Sequence, residues 1–463
     1  RLSWLGLAAI ATLGLLPTAA LGATPTAPGR TTASYRNTQA FAAIKNDGSV
    51  VSWGNGAFGG DSSGVASQLA SGVTQVVSTT QAFAALKSDG SVVTWGDANS
   101  GGNSSTVASR LASGVVRIFA AGYAFAALKN DGSVVTWGSI NSGGNSSAVA
   151  GSLTSGVTQI FSTTNAFAAL KSDGSVVTWG HSSYGGNSST VSASLASGVA
   201  QIFSTDSAFA ALKNDGSVVT WGSSTKGGDS TAVAGQLASG VTQIFAATQA
   251  FAALKSTGAV VTWGSSIYGG DSSSVAGNIT SGVTQIGSAG LAFAALKSSG
   301  SVVTWGFSGG GGNSSAVAGQ LASGVAQIFS ADYAFAALKS DGSVVTWGDS
   351  SYGGDSGSVT GQLASGVTQI FSTGSAFAAL KSDGSVVTWG DSGNGGTSSG
   401  VASQLASGVV QAFSTGSAFA ALKGDGAVVT WGGSGTGGDS SAVASKLASG
   451  VIAMASPFHV APG

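Results

Sequence analysis

Ten Trp-Gly pairs recur along this chain at a fixed interval of 42 residues. Trp53, Trp95, Trp137, Trp179, Trp221, Trp263, Trp305, Trp347, Trp389 and Trp431 each precede a glycine, with no insertion between copies. Such self-similarity marks stacked supersecondary units, none of which can bury its own apolar face alone. The 463 residues therefore read as one array and not as two or three unrelated domains.

One unit, Gly72 to Ser113, reads GVTQVVSTTQAFAALKSDGSVVTWGDANSGGNSSTVASRLAS. Val73 to Ser78, Ala82 to Lys87 and Ser91 to Trp95 carry the β-branched and aromatic residues that strands favour. Between the last two strands sits Ser88-Asp89-Gly90, a tight turn whose glycine supplies positive φ. Thr257 and Ser299 replace the turn aspartate in two copies while Gly258 and Gly300 persist, so the turn needs the glycine more than the carboxylate. After Trp-Gly comes a Gly/Ser-rich loop, then Val107 to Leu111, whose apolar spacing allows one or two helical turns before the next unit. All 18 acidic residues are aspartate, which removes a good helix former, and 75 glycines supply turns. Three strands and a crossing in 42 residues fit an all-β propeller blade.

The pattern ALKSDGSVVTWG, the glycine-containing loop and SGVTQIFSTGSAFAALK together resemble the repeat of the RCC1-like (regulator of chromosome condensation) superfamily. The likeness runs over about residues 31–456 and is greatest to the short, three-stranded, secreted β-lactamase inhibitory protein II type. It implies a β-propeller of ten 42-residue blades, whereas the relatives close seven and often carry a proline in the crossing that is missing here. The alternative is an open β-spiral or solenoid of the same repeats. A further copy of the first strand, Gly450 to Ser456, follows the tenth unit, while Thr31 to Tyr35 is degenerate. A C-terminal strand completing the first blade accounts for both and favours closure.

Residues 1–23 read as a signal peptide: Arg1, an apolar run from Leu5 to Leu16, Pro17, then small residues ending at Ala23. Residues 24–456 form the array and 457–463 a tail. The mature protein is expected to be exported, hence secreted, at the cell surface, or periplasmic in a Gram-negative source, and to be a monomer. No stretch approaches the apolar length of a membrane span. Lysines fall about one per unit without clustering, which argues against nucleic acid as a partner. No cysteine is present to form a disulfide or supply a thiolate.

Comparison of the ten copies separates positions fixed by architecture from positions left free. The Phe of AFAA, the following Leu and the Trp of Trp-Gly are expected in the core, and Lys87 with its equivalents is expected to be a solvated charge beside the hairpin. Two stretches vary: the four residues between Trp-Gly and Gly-Gly, and the two before Ala-Phe. If the first strand runs up, both lie at the upper end of the blades and the constant hairpin at the lower end. Five of the six tyrosines fall there. Aromatics are enriched at recognition surfaces, so the candidate partner-binding residues are Phe58, Tyr123, His181, Tyr184, Tyr268, Leu291, Phe307, Tyr333 and Tyr352.

An enzyme is not expected, because the two histidines, His181 and His459, have no recognisable triad or metal partners in the sequence. The GGDS runs at Asp61, Asp229, Asp271, Asp355 and Asp439 offer one carboxylate per unit, too few for calcium. No cofactor is implied. Asn103, Asn145, Asn187, Asn278 and Asn313 begin glycosylation sequons, relevant only in a eukaryotic secretory pathway. The expectation is a non-catalytic secreted scaffold that binds a protein or surface glycan through its upper loops. Two alternatives stand beside it: a structural cell-surface or matrix protein, and a hydrolase inhibitor of the β-lactamase type. The resemblance implies the second of these, but the Ser- and Gly-rich loops cannot be matched to the inhibitor's contacts position by position. Nucleotide exchange, known in the nuclear branch, fits worse with a signal peptide and no basic tail.

Overall fold

The computed structural model describes residues 37–455. The expected signal peptide, the stretch Thr31 to Tyr35 and the tail with His459 lie outside them. Ten three-stranded antiparallel sheets follow one another. In the second, Val73–Ser78, Ala82–Lys87 and Val92–Gly96 pair in sequence order, with Phe83 opposite Trp95. Blade 1 is assembled from both ends of the chain. Ala40–Lys45 pairs with Val50–Gly54 on one side and with the closing strand Val451–Ala455 on the other.

The first strand of each blade is innermost, since successive first strands contact one another, and the third lies outside against the crossing segment. The middle strand is buried on both faces: Ala82, Phe83, Ala84 and Ala85 are at most 1% exposed. Phe83 and Ala85 turn to blade 1, where they meet Ala40, Ala42 and Ile44. Ala82, Ala84 and Leu86 turn to blade 3 and meet Phe125, Ile118 and Trp137. Every interface thus sets an aromatic face against an alanine face, and the period-2 alternation of the AFAAL strand places each residue on its side. The Phe, Leu and Trp expected in the core are all there.

Phe83 and Trp95 stack at 5.2 Å between centroids. Trp95 Nε1–H donates to the carbonyl of Gly59, in the preceding unit, at 2.9 Å. Gly59 has φ of 100°, and a Cβ there would sit 2.5 Å from Phe83 Cδ2, so only glycine lets the loop lie on the ring of the next blade. The hairpin glycine has a second duty beyond its φ. Gly90 accepts from Val115 N–H at 3.0 Å, and a Cβ on it would lie 2.7 Å from Gly114 N. That inter-unit contact explains why the glycine outlasts the aspartate in the hairpins of Thr257 and Ser299.

These contacts recur where the chain ends meet. Trp53 Nε1–H donates to the carbonyl of Gly437 at 3.0 Å, and Phe41, Trp53, Val451 and Met454 share one cluster with Ala418, Ala420 and Leu422. The array is therefore a closed ring of ten blades, and the open spiral is corrected: blade 10 packs on blade 1 as any blade packs on the next.

The crossings are 3-10 turns, such as Ser105–Leu111, with a single α-helical turn at Ala234–Leu237. They run along the outer strand, where the carbonyl of Leu69 accepts from Val50 N–H at 2.9 Å, so edge groups that could template aggregation are covered. Lys87 is not simply solvated. Its Nζ donates to the carbonyl of Gln68 at 3.0 Å and ties the hairpin to the crossing before it. The GGDS aspartates are turn caps, Asp61 Oδ1 accepting from Ser63 N–H at 2.8 Å. Asn103 Oδ1 does the same for Ser105 N–H at 2.9 Å, which explains why Asp and Asn interchange there.

Candidate functional site: the upper face

Both variable stretches meet at one end of the blades. Asp97 N–H donates to the carbonyl of Gln81 at 2.9 Å, and Thr79 Oγ1–H donates to the carbonyl of Ser100 at 3.0 Å. The four residues between Trp-Gly and Gly-Gly form a 3-10 turn whose first member often caps it. Asn55, Asp97, His181, Asp349 and Asp391 all accept a backbone N–H of their own turn.

The first residue of the pair before Ala-Phe builds an inner ring. Thr38 N–H donates to the carbonyl of Thr80, Thr80 to Gly122, Gly122 to Thr164, and so on through Asp206, Thr248, Gly290, Asp332 and Gly374 to Gly416, at 2.8 to 3.2 Å. Hydrogen-bonded backbones lie about 4.8 Å apart, so these nine steps, with the approach of Gly416 to the Thr38 carbonyl at the seam, enclose an opening about 15 Å across. Just below it runs a ladder of the opposite sense: Ser204 Oγ–H donates to the carbonyl of Ser162 at 2.7 Å, and Ser162 Oγ–H to that of Ala120 at 2.8 Å. The identity of the first pair residue can vary because its backbone carries the ring.

Against this frame the nine candidates divide. Tyr184, Tyr268 and Tyr352 occupy the fourth loop position and are half-buried, their rings capping the aromatic core between two blades. Part of their occurrence is therefore structural. Phe58 stands at the same position in blade 1 and is half-buried as well. Tyr123 and Phe307 are exposed, at 37% and 44%. His181 is exposed and meets Tyr184 edge-on at 5.2 Å. Its Nδ1 accepts from Ser183 N–H at 3.3 Å, so the imidazole serves its own turn. Tyr333 and Tyr352 meet at 4.5 Å with planes 69° apart.

Five candidates form one arc. At Gly310 a Cβ would lie 3.2 Å from Leu291 Cβ, 3.5 Å from Phe307 Cδ1 and 3.6 Å from Tyr333 Cδ1. Tyr268 is within electrostatic reach of Tyr333, whose hydroxyl is pushed above its ordinary pKa by burial, then by Tyr352, Asp332 and Tyr268. Tyr268, Leu291, Phe307, Tyr333 and Tyr352 thus run across blades 6 to 8, while Tyr123, His181 and Tyr184 lie on blades 3 and 4 and Phe58 stands apart. Ile140 and Ile267, 71% and 62% exposed in the same loops, belong to this surface. They were missed because tyrosine, not aliphatic exposure, was the signal sought.

The face is also acidic. Asp97, Asp206, Asp332, Asp349 and Asp391 lie on it, and Lys226 is its one cation among the described residues. Ser207, 2% exposed, has a hydroxyl without a hydrogen-bond partner beneath it. Among the described residues no group of three His, Cys, Asp or Glu side chains converges, and no helix is long and apolar enough to cross a membrane. Outer troughs of about 690 and 740 Å³ lie between neighbouring crossings, lined by repeat residues such as Val260, Thr262, Asp271 and Lys255.

The fold and its upper face define a ten-bladed propeller with a loop surface that differs from blade to blade. No family model matches the chain, and no curated protein does. Among solved structures it is similar to Prp20p from Saccharomyces cerevisiae, at 14% identity over 79% of this chain and 83% of that one, with a TM-score of 0.33. It is similar to the CRINKLY WD40 ectodomain of the Arabidopsis thaliana receptor kinase ACR4, at 15% identity over 58% and 90%, with a TM-score of 0.28. It is also similar to the computationally designed Ika8 protein, at 15% identity over 69% and 96%, with a TM-score of 0.29. Likeness at these scores assigns no family, and the fold stands on the ten sheets and their closure.

Proposed function

We propose that the protein is a non-catalytic, secreted repeat scaffold of the RCC1-like kind, which binds a protein or a surface glycan through its upper face. The observation that carries this reading is the contrast between the two ends of the blades. The lower hairpins repeat one solution, while the upper loops hold Tyr123, Ile140, Ile267 and Phe307 exposed beside half-buried tyrosines. Large apolar side chains grouped on a surface mark interaction sites, whereas scattered ones do not. The setting is extracellular or at the cell surface, as the N-terminal sequence suggests.

The test compares the purified protein with a Tyr268→Ala/Phe307→Ala/Tyr333→Ala variant and with a lower-face Lys87→Ala/Lys129→Ala control, on a glycan array and on intact cells of the source. Truncating central aromatic anchors costs about 2 kcal/mol or more each, so at least ten-fold weaker binding is expected of the upper-face variant alone. Equal binding by all three proteins would overturn the reading. It would favour a structural role at the cell surface, for which the near-identity of the units speaks.

A further inference from the structure

We propose that the corner formed by Tyr333 and Tyr352 on blade 8 receives an organic cation, the ammonium or guanidinium of a lysine or arginine on a basic segment of a protein partner. The proposal rests on the reading that the upper face binds a partner and specifies which chemistry it takes. The two rings stand in edge-to-face contact at 4.5 Å and 69°, so they meet at a corner and not as one flat platform. A sugar stacks on a single open ring face, whereas a cation gains from each ring that turns its electron-rich face toward the same point.

Both rings belong to loop segments that carry an aspartate. Asp332 precedes Tyr333 and adds to the field that raises its hydroxyl pKa, and Asp332 Oδ2 lies 2.9 Å from where a Cβ on Gly374 would be. Asp349 opens the turn that ends in Tyr352, its Oδ1 accepting from Ser351 N–H at 2.8 Å. No lysine or arginine lies on the upper loops of blades 6 to 9, and the nearest upper-face cation is Lys226 on blade 5. Leu291 and Phe307, which gather with Tyr333 around Gly310, give the stem of a bound lysine or arginine an apolar bed. The complementarity is that of a cationic segment carrying one anchoring side chain.

The experiment measures fluorescence anisotropy of a labelled Gly-Arg repeat peptide with the full protein, beside a labelled chito-oligosaccharide. Expected is binding of the peptide that weakens as salt is raised, falls about ten-fold in Tyr333→Ala, and stays within about three-fold in Tyr333→Phe, which keeps the ring face. Tyr333 is not among the residues packed on the blade cores, so its removal leaves the ring folded. Asp349→Asn keeps the turn cap, as Asn55 shows in blade 1, and should weaken the peptide several-fold. Asp439→Asn removes the same charge from the outer rim and should leave it unchanged. Peptide binding that is indifferent to Tyr333→Ala overturns the proposal, as does the absence of peptide binding. Saccharide binding lost in Tyr333→Ala while the peptide fails also overturns it but leaves the upper-face reading standing.

Discussion

Blade 1 is held together by strands from opposite ends of the chain, with no covalent link across the pairing, so the ring should open there before it opens elsewhere. Met454 is the apt perturbation. It sits at the place that Ile160 and Ile244 hold in blades 4 and 6, is 7% exposed, and packs in the cluster that joins blade 10 to blade 1. Truncating a buried methionine to alanine costs about 2–5 kcal/mol. The low end applies, about 2–3 kcal/mol, because the site retains some exposure and methionine packs adaptably. At about 1.4 kcal/mol per factor of ten, amides paired across Ala42–Lys45 and Val451–Ala455 should exchange about 30- to 150-fold faster in Met454→Ala. Native-state hydrogen exchange read by mass spectrometry or NMR gives the answer strand by strand. In the unaltered protein those amides should already exchange faster than their counterparts in Val157–Ser162. Equal protection at both places, or an acceleration spread evenly over all blades in the variant, would refute a seam that opens locally.

Gly101→Ala should cost about 2–4 kcal/mol in urea unfolding, since a Cβ at φ 97° meets Phe125 Cδ2 at 2.6 Å. Gly151→Ala, with open space around it and no positive φ, should be neutral or stabilise by up to about 1 kcal/mol. Ser204→Ala should lose about 1 kcal/mol for its bond to the Ser162 carbonyl, a loss the ring tolerates, because Ala120 and Ala246 fill the same place. The hairpin carboxylates, Asp89 for example, are held below the ordinary 3.8 by the Ser91 hydroxyl and backbone N–H. Their contribution is present above the unfolded value and is lost as pH falls through the lower folded one. The urea midpoint should therefore drop below about pH 4, and Asp89→Asn should flatten part of that decline.

Much of this molecule could be read from the chain because each unit states its strands locally. Ser88-Asp89-Gly90 fixes the hairpin, and the strand bounds around it hold to within a residue or so. Closure was legible from the surplus strand after Gly450. What escaped were effects that exist only between units. The ring of backbone bonds from Thr38 to Gly416 has no side-chain signature, and the Lys87 bond to Gln68 joins residues whose proximity depends on the crossing path. The upper placement of the variable loops followed from strand polarity. The partial burial of Tyr184, Tyr268 and Tyr352 did not, because it depends on which ring of the next blade lies beneath each loop.

The interface at the seam repeats the tryptophan donor, glycine carbonyl and stacked rings of the nine others, which bears on how such a molecule can change over generations. Excising or duplicating any run of 42 residues leaves every kind of contact intact and alters only the angle between blades, by a few degrees shared around the circle. Copy number is thus a nearly neutral variable for the frame, held in check by the alanine faces that let neighbours approach and by the aromatic faces that keep them apart. Unequal recombination between near-identical units would enlarge or shrink the central opening while reshuffling which loops stand side by side. A lineage can in this way sample new upper surfaces without first inventing a new fold.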